Sequence, residues 1–210
     1  MTTDRITTPE QLAALYPAQP APASLLKELD HVDANYAALI AASPFMVLAT
    51  QGPGGLDCSP RGDLPGFVTV EGPKTLLIPD RKGNNRLDTL RNLLSDDRIG
   101  MLFLIPGMGE TLRINGRAAI SADPALCARF VMAGKPPACV IVVTVEAAYF
   151  QCSRAVVRAD LWNPAAQVDK RALPSPGAML NAISRRAAGP VFDGEAYDAA
   201  LPARVKATLY

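Results

Sequence analysis

Histidine is nearly absent from this 210-residue chain: His31 is the single one, and its isolation excludes a good deal of chemistry. A Ser-His-Asp or Cys-His hydrolase, or a site with several imidazole ligands, would have to be built around it. It falls in an amphipathic segment near the N-terminus, where a surface helix position is expected. Cysteine is sparse as well. Cys58, Cys127, Cys139 and Cys152 show no C-x-x-C spacing, which suits buried reduced thiols better than a disulfide framework or a zinc site. Charge of one sign is missing: 21 Lys plus Arg against 20 Asp plus Glu leave a net +1. No global field exists to attract nucleic acid or an anionic membrane, so any anion must be met locally. Long apolar runs are missing too, the longest (Ala138 to Val145) falling well short of the ~20 residues a membrane helix requires. The start of the chain, Met1-Thr2-Thr3-Asp4, lacks a signal-peptide pattern, and a cytoplasmic protein without membrane or nucleic-acid partners is expected. Neither G-x-G-x-x-G nor a Walker loop occurs, which argues against a dinucleotide in a Rossmann pocket.

What is present suits one domain of ordinary size, with 49% hydrophobic and 20% charged residues. Residues 1–43 read as an N-terminal arm and helices, 44–162 as the main domain, and 163–210 as a helical tail packed on it. In the arm, Thr8 is placed to cap a short helix, with Pro9 at its first position and Gln11 completing a capping box. An arm of this kind is expected to pack on a partner subunit. From Ser24 to Ala42, apolar residues at three-to-four spacing (Leu25, Leu29, Val32, Tyr36, Leu39, Ile40) predict one helix with a buried face.

After Pro44 the texture changes to short β segments: Phe45–Thr50, Gly66–Glu71, Thr75–Pro79, Arg98–Ile105, Thr111–Ser121 and Cys139–Tyr149. Gly/Pro-rich turns separate them, with helical inserts at Leu87–Leu94 and Pro124–Met132. The expected fold is mainly β with peripheral helices, a six-stranded antiparallel barrel, closed or split. Past Trp162, weak helical stretches are expected at Ala178–Ala188 and Glu195–Leu209, and no chemistry is assigned there.

The chemistry concentrates between Thr75 and Asp88, where an apolar strand runs into Asp80-Arg81-Lys82-Gly83-Asn84-Asn85-Arg86 and then a helix. Asn85 is placed to cap that helix and Gly83 to permit a nest of backbone N–H groups, while Arg81, Lys82 and Arg86 add three cations. Such a loop is either a solvated charged turn or a phosphate site. A second basic segment, Cys58-Ser59-Pro60-Arg61-Gly62-Asp63, favours the phosphate site by bringing the Arg61 guanidinium beside the loop. Asp63 and Asp80 would repel a phosphate, so each is expected to pair with an arginine or to accept hydroxyl groups of a sugar-like chain. On Leu112-Arg113-Ile114-Asn115-Gly116-Arg117, strict alternation puts Arg113 and Arg117 on one face, either a polar outer face or an anion or dimer contact. Gly116 marks a bulge or a close approach. Arg154, Arg158 and Trp162 share a face if their segment is helical, the lone Trp serving for packing or as a ligand platform.

These motifs, S-P-R-G-D, I-P-D-R-K-G-N-N-R and L-R-I-N-G in that order over Phe45 to Trp162, resemble the flavin-binding split-barrel proteins related to pyridoxamine 5′-phosphate oxidase. The resemblance implies an FMN-binding split barrel, a homodimer with FMN at the subunit interface, and an oxidoreductase acting on a small-molecule substrate. It implies that Arg61, Asp80, Arg81, Lys82, Asn84, Asn85 and Arg86 contact the cofactor, with Arg113, and with Arg154 and Arg158 approaching from the neighbouring subunit. A binding or storage protein for FMN, haem, a bilin or a deazaflavin is the alternative. The true oxidases carry a C-terminal arginine-x-histidine pair, and no histidine follows Trp162 here, so vitamin B6 oxidation is not supported. Gln151 and Arg154 also stand where relatives carry histidine and lysine. The missing acid–base residues do not weigh against flavin chemistry, in which the cofactor itself carries hydride or electrons.

Overall fold

The capping box forms as the sequence dictates. In the computed structural model, which describes residues 4–187 and 189–210, the Gln11 amide N–H donates to the Thr8 hydroxyl at 3.3 Å, and the Thr8 N–H donates to the Gln11 side chain at 3.3 Å. This opens α1 (Pro9–Leu15), which buries none of its residues. The first three residues of the expected arm, and Ala188 at the end of an expected tail helix, lie outside the described residues.

The single helix expected over Ser24–Ala42 is instead two, α2 (Pro22–Leu26) and α3 (Ala34–Ala42). Leu29, between them, is captured by the sheet: its N–H donates to the Ala148 carbonyl at 3.0 Å, and the Ala148 N–H donates back at 2.8 Å. Asp33 then restarts the helix by accepting from the Tyr36 N–H at 2.8 Å. The apolar spacing survives the break, since Val32, Tyr36 and Ile40 are all buried. His31 is not on a helix but in the bend before α3, 2.8 Å from the Asp30 carboxylate.

Seven strands, not six, follow: β1 (Phe45–Gly52), β2 (Gly55–Gly62), β3 (Thr69–Gly72), β4 (Thr75–Pro79), β5 (Arg98–Leu104), β6 (Thr111–Ser121) and β7 (Val140–Gln151). The unexpected one is β2. Its glycines, Asp57 and Pro60 look like turn chemistry, but proline is tolerated on an edge strand, and β2 pairs with β1 from Gly55 to Gly62. All seven form one antiparallel sheet in the order β2-β1-β5-β6-β7-β4-β3. Among the described residues no ladder joins β2 to β3, so hydrogen bonds do not close the sheet.

Met46, Leu48, Leu76, Ile78, Phe103, Ile114, Ile141 and Val143 fill the concave face, and Ile40 of α3 packs into the same core. Two short helices lie in the connections, α4 (Asp88–Leu93) and α5 (Pro124–Ala128), and α6 (Arg154–Arg158) follows β7. In the tail, α7 (Pro176–Ser184) and α8 (Gly194–Ala207) cross where Gly177 and Gly194 touch: a Cβ on Gly177 would lie 2.0 Å from the Gly194 carbonyl oxygen. The four cysteines are unpaired; Cys127 and Cys139 are buried, whereas Cys58 and Cys152 are exposed, against the expectation of four buried thiols. No helix among the described residues is long and apolar enough to cross a membrane.

Gly116 occupies the anticipated bulge, where the β6–β7 register shifts between Asn115 and Gly116. A Cβ there would sit 2.1 Å from the Thr144 carbonyl oxygen, whereas one on Gly100 would meet nothing closer than the Asn115 side chain at 3.6 Å. Gly116→Ala is therefore expected to cost about 2–3 kcal/mol in urea unfolding, while Gly100→Ala is expected to change stability by no more than about 0.5 kcal/mol.

Candidate functional site

The two ends of the open sheet curl toward one another, and a cleft of about 990 Å³ lies where the edge strand β2 faces the loop leaving β4. Strand alternation presents Asp57, Ser59 and Arg61 of β2 to this cleft. On the opposite side, β4 delivers Asp80 and Arg81. The Asp80 N–H extends the ladder by donating to the Cys139 carbonyl at 3.0 Å. Phe67, Pro79 and Leu90 supply an apolar lining.

The loop from Asp80 to Leu87 is shaped differently from its expected form. Gly83 does not adopt the left-handed backbone; Asn85 (φ 60°) and Leu87 (φ 59°) do. Asn85 does not cap the helix either. Leu87 holds the position before α4 and makes no side-chain capping bond, while Asn84 closes a local turn by accepting from the Arg86 N–H at 3.0 Å. A left-handed leucine costs on the order of 1 kcal/mol or more, so packing of α4 against β1 and β2 must hold it there.

The charged groups are mostly committed to one another. The Asp63 side chain is only 1% exposed and accepts from Arg81 Nε at 2.7 Å, from the Tyr210 hydroxyl at 2.7 Å and from the Leu64 N–H at 2.8 Å. Burial alone would raise the pKa of Asp63, but those donors outweigh it and hold the carboxyl below the ordinary aspartate range. Arg81, 17% exposed, also donates to the Phe130 carbonyl at 2.7 Å. Arg86 is exposed and pairs with Asp88 at 2.7 Å.

Across the cleft, Arg61 donates to the Thr89 hydroxyl at 3.1 Å, and the Thr89 hydroxyl donates in turn to the Asp57 carboxylate at 2.6 Å. Ser59 also donates to Asp57, at 3.0 Å. Arg61 reaches Asp80 only at 4.0 Å. Burial raises the Asp80 pKa, and the Arg61 charge only partly offsets it. Among the described residues, Lys82 has no ion-pair partner. Burial, with Asp80 and Cys127 nearby, pushes the Cys139 thiol up to about 11, which keeps it protonated and unreactive at neutral pH.

Of the sequence-predicted residues, Arg61, Asp80, Arg81, Lys82, Asn84, Asn85 and Arg86 meet at this cleft. Arg113 does not: it is exposed on β6, where its guanidinium donates to Asn115 at 3.3 Å and lies 5.8 Å from the Tyr149 ring. Arg154 and Arg158 are exposed on α6, also away from the cleft, and Trp162 is anchored by donating to the Met108 carbonyl at 2.7 Å. Sequence reading missed Asp57, Thr89, Lys135 and Tyr210 as lining residues. Alternation along β2 would have given Asp57; nothing local marks Tyr210.

A sequence profile described as pyridoxamine 5′-phosphate oxidase matches residues 32–152. No curated protein matches the chain. Among solved structures, HupZ of Group A Streptococcus is similar with a TM-score of 0.49 and 17% identity, over 58% of this chain and 95% of that one. A protein related to general stress protein 26, of the pyridoxinephosphate oxidase family, from Clostridium acetobutylicum gives 0.43 and 16%, over 55% and 84%. An FAD-binding protein from Mesorhizobium loti gives 0.40 and 12%, over 59% and 96%.

The Asp63–Arg81 pair makes stability depend on pH with a definite sign. Because the folded-state pKa of Asp63 is depressed, its contribution is complete above the ordinary aspartate range and is lost as pH falls through the folded value. Asp63→Asn should destabilise the protein by about 2–3 kcal/mol at neutral pH, since it leaves Arg81 half-buried beside a neutral amide. Denaturation midpoints of wild type and variant, measured from pH 7 downward, are expected to converge once the pH is below the folded value.

Proposed function

The chain belongs to the pyridoxamine 5′-phosphate oxidase family, and from that premise we propose that it is an FMN-dependent oxidoreductase passing hydride or electrons between bound flavin and a small molecule. The observation that carries this reading is the cleft between β2 and the β4–α4 loop, which gathers Arg61, Lys82 and Arg86 with the Ser59 and Thr89 hydroxyls.

The donor set suits a phosphate monoester. Arg61 is fixed by a neutral hydroxyl and only a long, 4.0 Å pair with Asp80, and Lys82 is uncommitted among the described residues, so two cations are available to a dianion without breaking a close ion pair. Arg81 is different: its tight pairing with Asp63 assigns it to shaping the wall, and Arg86 must leave Asp88 to take part. Asp80, largely buried and with no close donor beyond Arg61, is suited to accept a hydroxyl of the ribityl chain. When bound, the flavin would supply the redox chemistry, and the protein's task is to bind, orient and exclude water. Pyridoxamine phosphate is not the proposed substrate, because no histidine follows His31. The proposal includes the split-barrel homodimer that the motifs imply, with residues 44–162 as its flavin domain, and a cytoplasmic location. Arg113, Arg154 and Arg158, remote from the cleft within one chain, would then act at the subunit interface.

Purified protein is expected to be yellow, to bleach anaerobically with a nicotinamide cofactor, and to recover colour with an electron acceptor. In fluorescence titrations, Arg61→Ala and Lys82→Ala should each weaken FMN binding by roughly tenfold or more, since a charge-assisted contact contributes about 1.5–3 kcal/mol. An unchanged titration in both variants refutes the assignment.

A further inference from the structure

One wall of the cleft comes from a residue far away in sequence. Tyr210 lies beyond α8, and its hydroxyl donates to Asp63 across a separation of 147 positions. Its ring lies 5.8 Å from the Arg81 guanidinium carbon, and its backbone carbonyl accepts from Lys135 Nζ at 2.8 Å. All four residues except Asp63 line the cleft.

The anchor on the Lys135 side is rigid. Met132 and Lys135 exchange both backbone hydrogen bonds at 2.9 Å, closing a tight turn through left-handed Ala133 (φ 48°) and Gly134 (φ 76°). The same segment supplies the Phe130 carbonyl that holds Arg81. Tyr210 is thus tied at its phenol and its ring to two side chains that are themselves fixed, and at its carbonyl to a lysine whose backbone is held in that turn. The hydrogen bond to Asp63 keeps the phenol protonated beyond the ordinary tyrosine range, so it stays a donor at physiological pH.

We infer that Tyr210 is a positioning residue that latches the segment after α8 across the Asp63–Arg81 pair, so that ligand leaves the cleft only when this latch releases. The inference rests on the cofactor reading above. It adds a retention element that lies outside the stretch matched by the family profile, residues 32–152.

The test measures FMN dissociation by recovery of flavin fluorescence on dilution, in wild type, Tyr210→Phe and Tyr210→Ala. Tyr210→Ala is expected to release FMN about tenfold faster, and Tyr210→Phe to fall between, because it keeps the ring over Arg81 and loses the bond to Asp63. The unfolding midpoint of the cofactor-free protein should fall by a similar amount in both variants, since each removes the same donor to Asp63, so faster release from Tyr210→Ala than from Tyr210→Phe at equal midpoints separates latching from general destabilisation. Release from Tyr210→Ala at the wild-type rate, or acceleration over Tyr210→Phe matched by an equivalent further loss of fold stability, overturns the inference. If wild type binds no FMN, the cofactor reading fails, and the latch is judged by amide exchange over 204–210 in the cofactor-free protein. Faster exchange in Tyr210→Ala then supports it, and equal exchange refutes it.

Discussion

An ion pair of the least exposed kind bridges a sheet that backbone hydrogen bonds leave open. Asp63 follows β2 and Arg81 follows β4, near opposite ends of the strand order, and their 2.7 Å contact joins what no ladder joins. Two charges withdrawn from water at a seam are costly unless every remaining donor and acceptor is satisfied. Here Asp63 accepts three bonds, and Arg81 donates to a backbone carbonyl, meets an aromatic face and keeps part of its guanidinium exposed. The seam is therefore specified in register by side chains, and the cleft is the space those side chains prop open.

The electrostatics of the cleft follow from this arrangement. A surface offering only cations would attract any polyanion, but this one interleaves Asp57, Asp80 and Asp88 with Arg61, Lys82 and Arg86. Most charges cancel locally, and positive potential persists only where a guanidinium or ammonium lacks a close carboxylate. On the proposed reading, a near-neutral chain would meet its phosphate through these local cations and not through a global field. The hydroxyls of Ser59 and Thr89 are turned toward Asp57, which orients the Thr89 oxygen as an acceptor for Arg61.

Strands with continuous apolar character were legible in the sequence: β4 and β6 lie where alternation and β-branched runs put them, and β7 is displaced by only one or two residues. Leu29 broke the expected long helix because a bridge to Ala148 satisfies two backbone groups that a helix would have satisfied locally; periodicity alone cannot see that competition. β2 was hidden by Pro60 and its glycines, whose turn propensity is overridden at an edge by pairing with β1. In the loop, the number and kind of charged residues were legible, but their pairing was not. Asp63, Phe130 and Tyr210 claim their contacts with Arg81 through tertiary geometry, and Leu87 takes the left-handed position that an asparagine or glycine would be expected to fill.

The position of Tyr210 bears on how the protein comes to be built. A contact spanning 147 positions closes the largest loop in the site and bears the greatest chain-entropy cost, so it belongs among the last to form. During synthesis, β1 to β7 emerge and can pair well before residue 210 leaves the ribosome, and until then the pocket lacks one side. Completion of this side of the cleft is consequently a late step in folding, one that follows assembly of the sheet instead of guiding it.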